Sequence, residues 1–308
     1  MIHHKPYDKQ RGVLLVQLLV GIAIGVFTVT MSVALYFDIM RQYTKTINKF
    51  VYTTNVGIVQ QLFKTSINQS GLPGGFALGQ WVEGTIQPNG IAPINIFNYA
   101  PIYATSQMAN ADLTSGKTAN TDVLMVQGIN RYMTTNDPIA AADTQIDIGF
   151  AVRANRLLML MTPSLASASL VATSSDENNG TVELQSAPNH DFPVDSFLGR
   201  YYLNVYYIAP TGEQDNQGNA IDALYERHIF GTSANLQQTY PIINHVSDMQ
   251  IQYYTDDGGW QAVQADNDQA YRNQWYRLVK GLRITVTMDR GDGSENFDIV
   301  IPIRRNLT

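Results

Sequence analysis

The chain has no cysteine in 308 residues. That excludes disulfides, thiolate metal sites and cysteine nucleophiles. It leaves the compartment open, because a chain of this length buries a core without covalent staples. Charged residues are sparse, at 15%, and residues 13–37 contain none at all. An excess of positive charge is also missing. The formal net charge is −6, which argues against binding nucleic acid through bulk charge and leaves a local basic patch as the electrostatic route. No G-x-S-x-G elbow, P-loop, G-x-G-x-x-G fingerprint or HExxH occurs. His3, His4, His190, His228 and His245 are scattered without metal-ligand spacing. These absences point to a non-enzymatic protein that needs no cofactor.

What is present is the uncharged stretch itself. Lys5, Lys9 and Arg11 precede it, and Asp38 and Arg41 come after it. As a helix, 25 residues rising ~1.5 Å each reach roughly 37 Å, enough to cross a ~30 Å hydrocarbon core with some tilt. The basic flank predicts a cytoplasmic N-terminus and export of the chain beyond the apolar segment. A secretory signal has a shorter apolar region, about 7–15 residues, with a small-residue cleavage site after it. Here the apolar run has no such site after it, and the small residue, Gly12, lies before the run.

The segment Arg11-Gly12-Val13-Leu14-Leu15-Val16-Gln17-Leu18-Leu19-Val20-Gly21-Ile22-Ala23-Ile24-Gly25 resembles the class III leader of type IV pilins and pseudopilins. The resemblance implies cutting between Gly12 and Val13 by a prepilin peptidase, which then methylates Val13. The sequence departs from the pattern twice. Val13 stands where Phe is commoner, and Gln17 stands where the family has Glu at the fifth mature position. The resemblance implies that this Glu neutralises a neighbouring subunit's N-terminal ammonium. Gln accepts a hydrogen bond but does not neutralise a cation, and an unpaired buried charge is costly. Gln17 therefore suits a subunit at the tip of a filament, with none above it. Neutral drift or a carboxylate supplied by a partner is the bland alternative.

Gly21, Gly25, Thr28 and Ser32 fall on one stripe, a pattern that lets apolar helices approach closely; the alternative is lipid-facing filler. From Asp38 the pattern turns amphipathic. Met40, Tyr43, Ile47, Val51, Ile58 and Leu62 recur at helical spacing, with Arg41, Lys45 and Lys49 on another face. Gly57 is a weak point, and Ser70-Gly71-Leu72-Pro73-Gly74-Gly75 ends the helix. The expected division is a leader over 1–12, a membrane or filament-core half-helix over 13–37, an amphipathic half over 38–70 and a globular domain over 71–308.

Residues 76–121 read as irregular with short strands. Strand patterns occur near 122–127, 145–152, 157–161, 181–184, 200–209, 223–230, 246–254, 278–288 and 297–303. The fold class is α+β: a long N-terminal helix packed on a mainly antiparallel, β-rich, pilin-like domain. Tyr206-Tyr207-Ile208-Ala209 with Ala223-Leu224-Tyr225-Glu226-Arg227 resembles the "YYI … LYR" region of PilW-like minor pilins. Val246-Ser247-Asp248-Met249-Gln250-Ile251-Gln252-Tyr253 with Asp256-Asp257-Gly258 after it, and then 279–286, is similar to their later strands.

The resemblance implies a minor pilin that co-assembles with other minor pilins and the major pilin to initiate or cap a type IV pilus. Adhesion, twitching motility or DNA uptake lie downstream. Its partners would include the prepilin peptidase and the inner-membrane assembly platform. It would sit in the bacterial inner membrane before assembly and at the pilus tip or cell surface afterwards. A minor pseudopilin of a type II secretion system and an uncleaved, signal-anchored envelope protein are the rivals. Two loops resemble calcium loops, one with Asp215 and Asp222 and one with Asp289 and Asp292, although Asp, Asn and Gly also dominate ordinary turns. Arg290-Gly291-Asp292 matches an integrin-read tripeptide that hairpin-tip chemistry explains better. Tyr201, Tyr202, Tyr206 and Tyr207 are an adhesive surface or, more simply, core.

Overall fold

The computed structural model describes residues 7–70, 81–83, 99–162, 167–178, 180–188, 190–215, 218–266, 269–290 and 293–303, with backbone alone for 7–13, 81–83, 167, 276 and 277. The protein is α+β. Helix α1 (Tyr7–Gln69) runs 63 residues without interruption, passing through Gly57 as regular α-helix. It ends where the Ser-Gly-Leu-Pro-Gly-Gly run begins, with the Ser70 hydroxyl and N–H both turned back to Ile67 O. The chain divides into two compact units, one reaching to Thr54 and the other beginning at Asn55.

In the second unit, the strands of the main sheet are β1 (Trp81–Glu83), β2 (Ile102–Thr105), β3 (Val123–Thr134), β5 (Leu157–Thr162), β6 (Ser167–Ala172), β8 (Phe197–Gln214), β9 (Ala220–Ile229) and β10 (Gln237–Asn244). Their order is β1-β6-β5-β8-β3-β2, and every pair is antiparallel except β1 with β6. Strand β8 is 18 residues long and serves two partners along the side away from β3. Residues 197–200 pair with β5, and residues 203–214 pair with β9, which carries β10 as the edge. The fork closes where Arg156 bridges Gly231 and Leu157 N–H donates to Phe230 O.

A second sheet has the order β12 (Gly259–Ala262), β11 (Val246–Thr255), β13 (Gly281–Asp289), β14 (Ser294–Pro302). A two-stranded ribbon pairs β4 (Gln145–Ile148) with β7 (Gly180–Glu183). The alternating pattern of β4 does what period two requires. Ile146 and Ile148 turn inward with Val182 and join Leu158, Leu160, Leu198 and Phe192 in one apolar cluster, with Phe150 against it.

A second core lies around the short helix α2 (Gln269–Arg277). Tyr271 and Trp275, one turn apart, meet Tyr103 and Tyr253 edge-on or tilted. Inside it Asp266 is buried and fully engaged. Its Oδ1 accepts from Tyr103 Oη (2.8 Å) and Arg272 Nε (2.5 Å), and its Oδ2 from Tyr99 Oη (2.9 Å). Burial first, then this carboxylate, raises the Tyr99 and Tyr103 hydroxyls well above the ordinary tyrosine range.

Several elements differ from the sequence reading. Strands β6, β10 and β12 and helix α2 were not foreseen, because SASLVA and QQTYPIIN lack an apolar period and QAYRNQWYR is polar apart from two aromatics. Strand β13 begins at Gly281 rather than 278, since Leu278 and Val279 close the end of α2 by donating from N to Gln274 O. Much of the 76–121 stretch lies outside the described residues. Tyr201, Tyr202, Tyr206 and Tyr207 are all buried, which corrects the adhesive-surface alternative: strand alternation sends them to the two covered faces of β8.

Candidate functional site

Helix α1 holds the features that set this chain apart, and it changes character along its length. Every described side chain from residue 14 to residue 47 is exposed, among them Leu14, Leu18, Ile22, Phe27, Val33 and Phe37. Such a length of exposed apolar helix is not stable bare in water. It is long and apolar enough to cross a membrane. Its threonine and serine side chains suit that solvent. Thr28 donates to Ile24 O, Thr30 to Val26 O and Ser32 to Thr28 O, each at 2.8 Å. Each hydroxyl proton is thus satisfied within the helix, as a segment surrounded by hydrocarbon requires. Gly21 and Gly25 have open space where a Cβ would stand, so nothing among the described residues needs glycine there. Gln17 is exposed, and the backbone at Gly12 and Val13 is helical.

Burial begins further along, at Val59, Phe63 and Ile67, which lie at four-residue steps. The expected stripe was one position off. Ile58 is exposed and Leu62 only half-buried, while Met40, Tyr43, Ile47 and Val51 are all exposed. A helix turns 100° per residue, and in this segment the facing sheet selects the face that carries Phe63. Phe63 meets the Tyr206 ring edge-on at 5.4 Å. Burying three such side chains contributes at most on the order of 5–8 kcal/mol.

A polar chain of hydrogen bonds completes this seat. Alternation along β8 puts Tyr202, Asn204 and Tyr206 on the face toward residues 55–69, with His228 opposite Asn204 and Glu226 opposite Tyr206 in register. Tyr206 Oη donates to Glu226 Oε1 (2.9 Å), and Tyr240 Oη donates to Oε2 (2.6 Å). With its single proton used, Tyr206 accepts from Ser66 Oγ of α1 (2.5 Å) and from Asn204 Nδ2 (3.2 Å). Asn204 Oδ1 in turn accepts from His228 Nδ1, which assigns the proton to that nitrogen. Burial lowers the His228 pKa, against the opposing pull of the Glu226 charge. Burial also raises the Tyr206 hydroxyl well above its usual range, with the Glu226 charge next, and raises Tyr240 to about 12.

The end of α1 is held separately. Tyr202 Oη donates to Gln69 O (2.9 Å), one of the carbonyls that a helix C-terminus leaves unpaired. The approach requires a glycine: a Cβ on Gly128, opposite Tyr202 in the ladder, would stand 2.7 Å from that hydroxyl.

Comparison with protein-family models, with curated proteins and with solved structures finds no match.

The calcium candidates do not converge. Asp215 spends its carboxylate on Asn219, from N (2.8 Å) and Nδ2 (2.9 Å), which is turn chemistry. Asp222 accepts from Thr118 Oγ1 at 3.4 Å, and Asp289 closes the β13–β14 hairpin opposite Ser294. Asp292 lies outside the described residues. Among the described residues no group of three or more metal-binding side chains comes together. Sequence reasoning missed the Ser66–Tyr206–Glu226 network. The period-two spacing of Tyr202, Asn204 and Tyr206 was a signal for one shared face, but the partner strand was not.

Proposed function

We propose that this chain is a minor pilin, similar to PilW, that primes or caps a type IV pilus together with other minor pilins. One observation carries the reading. The described side chains of the apolar half of α1 are exposed and its Thr28, Thr30 and Ser32 hydroxyls are bonded within the helix, and the same helix ends in a segment clamped to an antiparallel β domain. A helix built this way resides in a bilayer and later exchanges lipid for the helices of neighbouring subunits, because both solvents are apolar. The role is mechanical. The helix is the joint, and the β domain makes lateral contacts outside the membrane. Gly21, Gly25, Thr28 and Ser32 would allow close helix approach, and Gln17 would mark a position without a subunit above it.

The test is mass spectrometry of the protein recovered from envelopes with a working prepilin peptidase. The expected species starts at Val13 and carries one N-methyl group. Protein still bearing residues 1–12 overturns the reading and favours a signal-anchored envelope protein. Loss of piliation rather than of protein secretion on deletion separates a pilus from a type II secretion role.

A further inference from the structure

We propose that Arg131, Arg153, Arg156 and Arg200 form a binding site for a phosphoryl group, independent of the pilus reading. Strand register brings Arg156 and Arg200 together at the sheet fork, with Arg153 in the turn before Arg156 and Arg131 on β3 across β8. Arg200 on β8 stands opposite Leu158 on β5 and opposite Asn130 on β3. Arg156 lies two residues before Leu158, so period two puts it on the same face as Arg200. Arg131 is next to Asn130, and Arg153 lies in the turn that leads to Arg156.

Each inner guanidinium rests on an aromatic ring. Arg156 Cζ is 4.4 Å from the centroid of Phe230, and Arg200 Cζ is 5.3 Å from that of Phe150. Both Nε atoms are buried without a hydrogen-bond acceptor. The rings and the strands therefore fix the two heads from beneath and leave the Nη ends as the donors that remain. A stacked, pre-oriented guanidinium loses little entropy on binding and matches the oxygen spacing of a phosphate.

Among the described residues no ion pair joins a carboxylate to any of the four; Arg272–Asp266 and Lys280–Asp256 lie elsewhere. Asp176 reaches the same turn but accepts from Ala154 N–H at 2.6 Å. The charges acting on Arg156 are those of Arg200 and Arg153, and Arg131 acts on Arg200. Burial first and this repulsion second bring Arg156 down to about 10. Four guanidiniums with no carboxylate in ion-pair contact are unusual in a chain of net charge −6.

The backbone adds an independent sign. Five described non-glycine residues have positive φ: Asn120, Arg131, Asn155, Asp195 and His245. Four are of the types that tolerate it; Arg131, at φ 47°, is not. It sits in the bulge where β3 shifts register between Asn130 and Met133. Bulges re-aim side chains, and strain of this kind gathers at functional sites. A phosphate dianion offers enough charge and lone pairs to engage several guanidiniums at once, where a carboxylate offers one edge.

The test titrates the full-length protein in neutral detergent, by calorimetry and thermal unfolding, with inorganic phosphate and separately with dihexanoyl phosphatidic acid below its micellar concentration. Saturable binding of phosphate assigns a soluble ligand; binding of the lipid alone assigns a headgroup. In either case Arg156→Gln and Arg200→Gln should weaken binding at least tenfold, whereas Arg41→Gln on α1 should leave it unchanged. Arg131→Gln, which relieves repulsion, should raise the unfolding midpoint of the ligand-free protein while shrinking the ligand-induced shift. Saturable binding of neither probe, or affinity equal in wild type and Arg131→Gln, overturns the proposal.

Discussion

Replacing Phe63 by alanine tests whether the seat of α1 is what fastens the helix to the β domain. Phe63 is fully buried, at 0% exposure, and its ring packs edge-on against Tyr206 at 5.4 Å. Deleting a buried phenylalanine costs about 3–5 kcal/mol, and an aromatic pair adds about 0.5–1.5 kcal/mol to its burial. The seat contains only three fully packed apolar side chains, Val59, Phe63 and Ile67. Loss of the largest removes about half of what they contribute. For a domain of this size, 1 kcal/mol moves the midpoint by about 2–4 °C, so Phe63→Ala should lower it by roughly 10 °C. The matched control is Phe50→Ala on the same helix, where the ring is 72% exposed and its loss should move the midpoint by less than about 1 °C. The assay is thermal unfolding of full-length protein in neutral detergent, monitored by tryptophan fluorescence, with Trp260 and Trp275 in the β domain as reporters. Equal shifts for the two variants, or a Phe63→Ala shift under about 2 °C, would refute the assignment of the seat.

Three other perturbations have defined outcomes. Asp266→Ala leaves Arg272 and two tyrosine hydroxyls without their acceptor and should cost about 3–5 kcal/mol in urea unfolding. Asp122 is pushed up to about 6 by burial, against the opposing pull of the Ile251 N–H and Lys117 and with the Asp248 charge adding to the rise. An acid raised on folding binds more protons in the folded state. The folded state therefore loses stability as pH rises from about 4 to 6, and is unchanged above that range. Asp122→Asn, which retains an acceptor for Ile251 N–H, should remove that slope and be more stable than wild type at pH 7 by on the order of 1 kcal/mol; a wild-type slope in the variant would refute this. Gly25→Ile meets open space in the single chain, so unfolding should be unchanged while helix–helix association, read by cross-linking in membranes, falls; intact association would remove the small-residue stripe from the mechanism.

How much was legible in advance varied with the physics involved. The α+β class and most strand positions came from local period. Ile146 and Ile148 alternate, residues 157–161 are continuously apolar, and both patterns became β4 and β5. The buried face of the last helical turns was missed by one residue, because a helix rich in apolar side chains on several faces does not itself say which one is covered. The tyrosine-rich β8 was visible as a strand, but its two sets of partners were not. Only pairing with β5 and β9 on one side brings Arg156, Arg200, Tyr202 and His228 to a common fork.

The amino-acid order alone determined the long helix, its uncharged half and its end at the Gly-Pro run, since hydropathy, charge placement and backbone sterics act over a few residues at a time. Tertiary structure decided which helix face is buried, that Glu226 accepts hydrogen bonds from two tyrosine hydroxyls, and that Arg156 and Arg200 meet at the sheet fork. Those facts rest on register between strands distant in sequence. A shift of one residue reverses every side chain of a strand, so no local pattern contains them.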